Sequence, residues 1–156
     1  MQLCIISIGH KLPTWVVDGF TNYAKRIHTP SKLTLIDIPL VKRSKASSVD
    51  QLKDKEAEQI LKHLKPSDYC IALDERGSSL STQALAKQLN IWQQDVKRLV
   101  FIIGGPDGLS NKVLSQTHYN WSLSKLTFPH PLVKVILIEQ LYRAISINEG
   151  HPYHRE

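Results

Sequence analysis

The chain has 156 residues, of which 42% are hydrophobic and 22% charged, a balance typical of one globular domain over residues 1–156. No uninterrupted apolar run approaches the ~18 residues of a membrane-spanning helix, and the first residues lack the charge and cleavage pattern of a signal peptide, so we expect a cytoplasmic protein. Twenty Lys and Arg against fourteen Asp and Glu give a formal charge of +6, which favours a polyanionic partner.

Apolar runs and amphipathic segments alternate along the chain. Strand-like runs rich in Ile, Leu and Val occur at 2–8, 33–38, 68–73, 98–103 and, in a shorter form, 119–123. Helical segments start at Pro13, at 49, at an N-cap formed by Ser81 or Thr82, and at 131. This alternation predicts an α/β fold whose mostly parallel sheet is flanked by helices and binds ligands at the carboxyl ends of its strands.

The glycine-rich stretch FIIGGPDGL, residues 101–109, follows the fourth predicted strand. It lacks the Gly-Lys-Ser/Thr of a P-loop and the spacing of a dinucleotide-binding G-x-G-x-x-G motif. A simple chain reversal is one interpretation, since Asp107-Gly108 is a common turn pair. The alternative is a ligand-binding loop, because LDERG at 73–77 and SLSKLTFPHP at 122–131 also follow strands, so that three loops are predicted to line one pocket.

The last helical segment, PLVKVILIEQLYRAISI at 131–147, is apolar on nearly every side. One face can cover the sheet, so a further apolar face in so small a protein predicts a homodimer interface. Glu139 and Arg143 lie four residues apart on this helix. They form either a structural ion pair or part of a catalytic or ligand-binding site.

A basic loop, VKRSKASS, carries Lys42, Arg43 and Lys45 between a strand and a helix. It is either an RNA-binding loop that contacts phosphates or an ordinary solvated loop. Cys4 and Cys70 lie in apolar runs, as buried free thiols do, and no disulfide is expected. The seven histidines lack partners at the spacing of metal ligands, so no metal site is expected.

Four motifs in order identify a family: LDERG at 73–77, IGGPDGL at 103–109, WSLSKLTFPHPLVKVILIEQLYRA at 121–144 and HPYHRE at 151–156. From end to end the chain resembles the small SPOUT-class methyltransferases that methylate ring nitrogen 3 of a pseudouridine in large-subunit ribosomal RNA. The resemblance implies a C-terminal trefoil knot, S-adenosylmethionine as cofactor and a homodimer. The cofactor-binding residues that it implies are Leu73, Gly104, Leu123, Ser124, Lys125, Leu126, Thr127 and Phe128.

The closing HPYHRE is an unusual composition for an idle tail, although a frayed terminus is the alternative. Methylation of a ring N–H requires a group that accepts its proton or stabilises the resulting anion. The candidates for this group are His154, Tyr153 and Arg143. Arg155 is a further candidate, and it is also expected to contact the RNA. Which of them is the base stays open, as does whether the tail completes the partner's site. We expect the substrate to be the assembled ribosome, and another RNA is the alternative substrate. The alternative function is that of a ribosome-binding protein with a vestigial cofactor site.

Overall fold

The computed structural model describes residues 1–9, 11–28 and 32–155, with side chains as far as Tyr153. Strands and helices alternate along the chain, as predicted. In chain order they are β1 (Gln2–Ile8), α1 (Thr14–Ala24), β2 (Lys32–Ile38), α2 (Val49–Leu61), β3 (Tyr69–Ser79), α3 (Thr82–Asp95), β4 (Arg98–Ile103), α4 (Asn111–Leu114), β5 (Tyr119–Ser122) and α5 (His130–Asn148). A 3-10 turn, Pro152–Arg155, follows α5.

The five strands form one sheet in the order β2-β1-β4-β3-β5. Every pair of neighbouring strands is parallel, which confirms the predicted parallel α/β fold. In a parallel sheet the carboxyl ends of all strands meet at one edge. The loops that leave β3, β4 and β5 therefore start side by side, although their sequence positions are far apart.

Both faces of the sheet are covered, because successive side chains of a strand point to opposite sides. Leu3 and Ile5 of β1 belong to a buried cluster that includes residues of α1, α3 and α5. Cys4 and Ile6 belong to a second cluster, which includes residues of α2 and α4. Cys4 is a buried free thiol, as is Cys70. This double burial explains why the strands read as continuous apolar runs.

Two details differ from, or refine, the sequence prediction. Strand β3 extends through the polar LDERG segment to Ser79, with an irregularity in its pairing to β5 between Leu73 and Ser78. Gly77 permits this close approach, because an added Cβ would lie 2.5 Å from the backbone oxygen of Asn120. Ser81 is the N-cap of α3, where its hydroxyl accepts a hydrogen bond from the Ala84 N–H at 3.1 Å.

The long apolar helix α5 packs against both α1 and α3. Its buried residues include Leu137, Ile138 and Leu141, while many of its other apolar side chains are only partly buried. Within the described ranges, no helix combines the length and the hydropathy that crossing a membrane requires.

Candidate active site

The glycine segment forms a tight turn at the end of β4. The Gly108 N–H donates to the Gly105 carbonyl at 3.0 Å, and Gly108 has a φ of 77°, a conformation that glycine adopts readily. Gly104 has no space for a side chain, because an added Cβ would lie 2.9 Å from the carbonyl carbon of Gly108. The turn therefore presents bare main chain next to the sheet edge.

A cavity of about 470 Å³ opens beside this turn, within the usual size range of a small-molecule site. It is lined by the glycine turn, by the Leu73–Arg76 part of β3 and by the segment after β5. The predicted cofactor-binding residues that line it are Leu73, Gly104, Leu123, Ser124, Leu126, Thr127 and Phe128. Lys125 is not among the described residues that line the cavity, although both of its neighbours are.

The segment after β5 is held in place by its own short polar contacts. The Ser122 hydroxyl donates to the Ser124 carbonyl at 2.8 Å, and the Ser124 hydroxyl accepts from the Leu126 N–H at 3.0 Å. The Thr127 hydroxyl donates to a Glu75 carboxylate oxygen at 3.1 Å, which ties the segment to β3. Two walls of the cavity are thus linked to each other, so the site is largely preformed.

Trp121 also lines the cavity, and its indole is buried. Its Nε1–H has no hydrogen-bond acceptor among the described residues. A buried donor without an acceptor is costly in a native protein. The Nε1 atom has almost no accessible surface, so a ligand in the cavity would reach it only if the indole or its neighbours moved. The bare main chain at Gly104 is therefore the feature of this wall that best suits a compact ligand.

Two further lining residues were missed by sequence reasoning. Lys53 belongs to α2, far along the chain from the three predicted loops, and only the packing of α2 brings it to the cavity. His130, the first residue of α5, belongs to the predicted SLSKLTFPHP loop, but no motif in the sequence singles it out as a site residue. Burial lowers the pKa of the His130 imidazole, so this ring is neutral at pH 7.

The predicted catalytic residues Tyr153 and Arg143 lie together beside the C-terminal half of α5. The Tyr153 hydroxyl donates to Glu139 Oε1 at 3.2 Å, and Arg143 Nε donates to the same oxygen at 2.8 Å. The Arg143 guanidinium lies over the Tyr153 ring, 4.8 Å from its centroid. Burial, with contributions from Tyr23 and Glu139, raises the pKa of the Tyr153 phenol, which stays protonated near neutral pH.

This cluster is remote from the cavity of its own chain. Arg143 is ten residues beyond Val133, the last residue of α5 that lines the cavity, a separation of about 15 Å along the helix axis. Either the tail serves a different purpose, or it completes a site on another molecule. The backbones of His154 and Arg155 belong to the closing 3-10 turn, but their side chains lie outside the described part of the structure.

The residues of the basic loop differ in their surroundings. Lys42 and Lys45 are exposed. Arg43 is also exposed, and in addition it forms an ion pair with Asp107, a residue of the glycine turn that lines the cavity. The loop predicted to bind RNA is therefore in direct contact with the loop predicted to bind the cofactor.

A cavity beside a bare glycine turn, at the carboxyl edge of a parallel sheet, is the usual place of a small-molecule site in an α/β protein. Comparison with known proteins gives the family. The chain belongs to the SPOUT methyltransferases: a family model described as "Predicted SPOUT methyltransferase" matches residues 1–154. This confirms the resemblance inferred from the motifs, makes the protein a methyltransferase that requires a methyl donor, and implies the C-terminal knot.

Full-length relatives support the assignment. A protein named ribosomal RNA large subunit methyltransferase H from Saccharophagus degradans is 46% identical over 157 residues, which cover 99% of this chain and 100% of the relative. Proteins of the same name from Acinetobacter baumannii and Legionella pneumophila are 49% and 48% identical, with 99% of each chain covered. The similarity thus includes the glycine turn, the segment after β5 and the tail.

Proposed function

We propose that this methyltransferase transfers a methyl group from S-adenosylmethionine to ring nitrogen 3 of a pseudouridine in large-subunit ribosomal RNA. The observation that carries the proposal is the backbone-walled cavity beside the glycine turn, in a chain whose full-length relatives are named for methylation of that RNA. We further propose that a single domain over residues 1–156 provides the whole activity and works in the cytoplasm.

The described residues fit the proposed cofactor. Its adenosine and methionine parts carry many hydrogen-bond acceptors, which suits bare main chain at Gly104. S-adenosylmethionine supplies an already activated methyl group, so the protein needs to bind it, exclude water and align the target base. The residues proposed to hold the cofactor are Leu73, Gly104, Leu123, Ser124, Lys125, Leu126, Thr127 and Phe128.

We propose a homodimer in which the tail of one subunit completes the site of the other. The separation between the Tyr153–Arg143 cluster and the cavity of the same chain supports this arrangement. Trp15 of α1 is 59% exposed and Leu126 at the cavity is 71% exposed, and large apolar side chains of this kind suit a subunit interface.

Tyr153, His154 and Arg143 are proposed to handle the target base. Because the raised pKa of Tyr153 keeps its phenol protonated, Tyr153 is unsuited to accept a proton from the base. Its one O–H can donate to the base only after it leaves Glu139. His154 supplies an imidazole, the type of side chain that most readily exchanges a proton near pH 7. The Arg143 guanidinium is suited to stabilising the anion that forms when the ring N–H is lost.

The RNA is proposed to bind along the basic loop and the tail, with Lys42, Lys45 and Arg155 contacting phosphates and Arg43 beside them. The formal charge of +6 is modest for a protein that binds naked RNA strongly. An assembled ribosomal surface offers shape and several RNA segments at once, so we propose intact ribosomes as the substrate.

Two measurements test the proposed function. Calorimetry of the isolated protein with S-adenosylmethionine should give saturable binding without added metal. Methylation of intact ribosomes should exceed methylation of naked ribosomal RNA. The absence of cofactor binding would overturn the proposal and favour a ribosome-binding protein with a vestigial cofactor site, whereas cofactor binding with no transfer to either RNA form would favour another RNA target.

A further inference from the structure

The basic loop and the glycine turn touch through one ion pair. Arg43 and Asp107 are 64 positions apart in the sequence, and their side chains are 42% and 18% exposed. Asp107 lines the cavity, at the third position of the turn from Gly105 to Gly108. The position of one cavity wall therefore depends on a residue from a loop that does not itself line the cavity.

A second carboxylate lies beneath the same turn. Glu56 of α2 is only 4% exposed, and its Oε2 would lie 3.3 Å from a Cβ added at Gly105. Burial raises the pKa of the Glu56 carboxyl, and the charge of Asp107 raises it further, while Arg43 and Lys53 act in the opposite direction. The carboxylates of Asp107 and Glu56 thus both lie at the turn, and the positive charges of Arg43 and Lys53 offset their negative charges.

These two cations occupy different positions. Lys53 lines the cavity, whereas Arg43 approaches the turn from outside, through Asp107. If Arg43 were removed, Asp107 would face Glu56 with only Lys53 to offset the repulsion between like charges. The turn would then move away from Glu56, and Gly104, which has no spare space against Gly108, would move with it.

We propose that Arg43 is a positioning residue for the cofactor site: by pairing with Asp107 it holds the glycine turn over Glu56 and links the basic loop to the cavity wall. The proposal rests on the function proposed above, because it takes the cavity to be the cofactor site. The proposal assigns different roles to the three basic residues of the loop. Lys42 and Lys45 serve RNA binding, and Arg43 serves cofactor binding through the turn.

Calorimetry with S-adenosylmethionine tests the proposal. Arg43→Ala should raise the Kd for the cofactor about three- to fivefold, as expected for removal of a partly exposed ion pair that shapes a binding loop. Lys42→Ala and Lys45→Ala are matched controls from the same loop and should leave this Kd unchanged. Lys112→Ala is a second control, because it removes an exposed ion pair, with Asp54, that includes no residue of the Gly105–Gly108 turn.

A double-mutant cycle distinguishes positioning through Asp107 from a general loss of stability. In an Asp107→Asn background, Arg43→Ala should have no further effect on the cofactor Kd. In steady-state assays Arg43→Ala should raise the KM for the cofactor by a larger factor than the KM for ribosomes, and Arg43→Lys should recover part of the loss in cofactor binding.

The positioning role of Arg43 and the proposed function are contradicted by different results. If wild-type protein binds the cofactor and Arg43→Ala binds it equally well, the positioning role is wrong and the proposed function stands. An effect of Arg43→Ala that is equally large with and without the Asp107→Asn substitution also overturns the positioning role. If the wild-type protein does not bind the cofactor, the proposed function itself is wrong.

Discussion

Gly104→Ala tests whether the main chain at the glycine turn forms the cofactor site. The added Cβ would lie 2.9 Å from the Gly108 carbonyl carbon and 3.1 Å from both the Gly108 oxygen and Leu109 Cδ2. Ordinary contacts begin at 3.4 Å, so the turn must retreat by about half an ångström. Two of the three atoms are backbone, and neither can rotate away as the end of a flexible side chain would.

Overpacking of this kind costs about 1–3 kcal/mol, and a change of ~1.4 kcal/mol in binding is tenfold in Kd. A similar loss of binding free energy from the displaced turn would raise the Kd for S-adenosylmethionine about five- to a hundredfold in calorimetry. The packing cost itself should lower the melting temperature of Gly104→Ala. Gly19→Ala is the control: its Cβ would make only an ordinary 3.4 Å contact with Val135, and alanine favours a helix over glycine. A Gly104→Ala protein with wild-type cofactor affinity would refute the reasoning.

Three further predictions concern the tail, the basic loop and a titrating side chain. Deletion of residues 151–156 should abolish methyl transfer but preserve cofactor affinity in calorimetry; transfer at the wild-type rate would exclude a catalytic role for the tail. The double variant Lys42→Ala, Lys45→Ala should weaken ribosome methylation and make it less dependent on salt concentration. The slope of log binding constant against log salt concentration should fall by up to about 0.7 for each phosphate that is no longer neutralised. An unchanged slope would show that the loop is not part of the RNA interface. Because burial lowers the pKa of His130 below its ordinary 6.5, the unfolded chain takes up this proton more readily, and stability should fall as the pH falls below about 6.5. His130→Gln should reduce that fall in pH-dependent thermal unfolding, and an unaltered pH dependence would contradict this assignment.

The parallel sheet was predictable because its strands are buried on both faces and so appear as uninterrupted apolar runs, such as Leu3 to Ile6. The meeting of the three loops followed from this prediction, since parallel strands end at one edge. The polar continuation of β3 was not predictable, because Asp74 to Gly77 have the composition of a loop. The strand continues past them only because pairing with β5, interrupted after Leu73, resumes at Ser78 and Ser79.

The site was predictable only where its residues follow a strand or belong to a motif. Lys53 reaches the cavity because α2 packs on the sheet, and no local pattern in the sequence indicates that position. The Arg43–Asp107 pair joins loops that are unrelated in sequence, and each residue alone resembles an ordinary surface charge. The distance from Tyr153 to the cavity depends on the direction in which the chain turns after α5, which the composition of the tail does not specify.

The central claim is methylation of a pseudouridine in large-subunit ribosomal RNA, and one measurement tests it most directly. Intact ribosomes from a strain that lacks the protein are incubated with the purified enzyme and isotopically labelled S-adenosylmethionine, and the modified nucleoside is then mapped by mass spectrometry. We predict a single labelled methyl group, on ring nitrogen 3 of a pseudouridine in the large-subunit RNA. Label on any other base or RNA, or no label at all in the ribosome, would contradict the account.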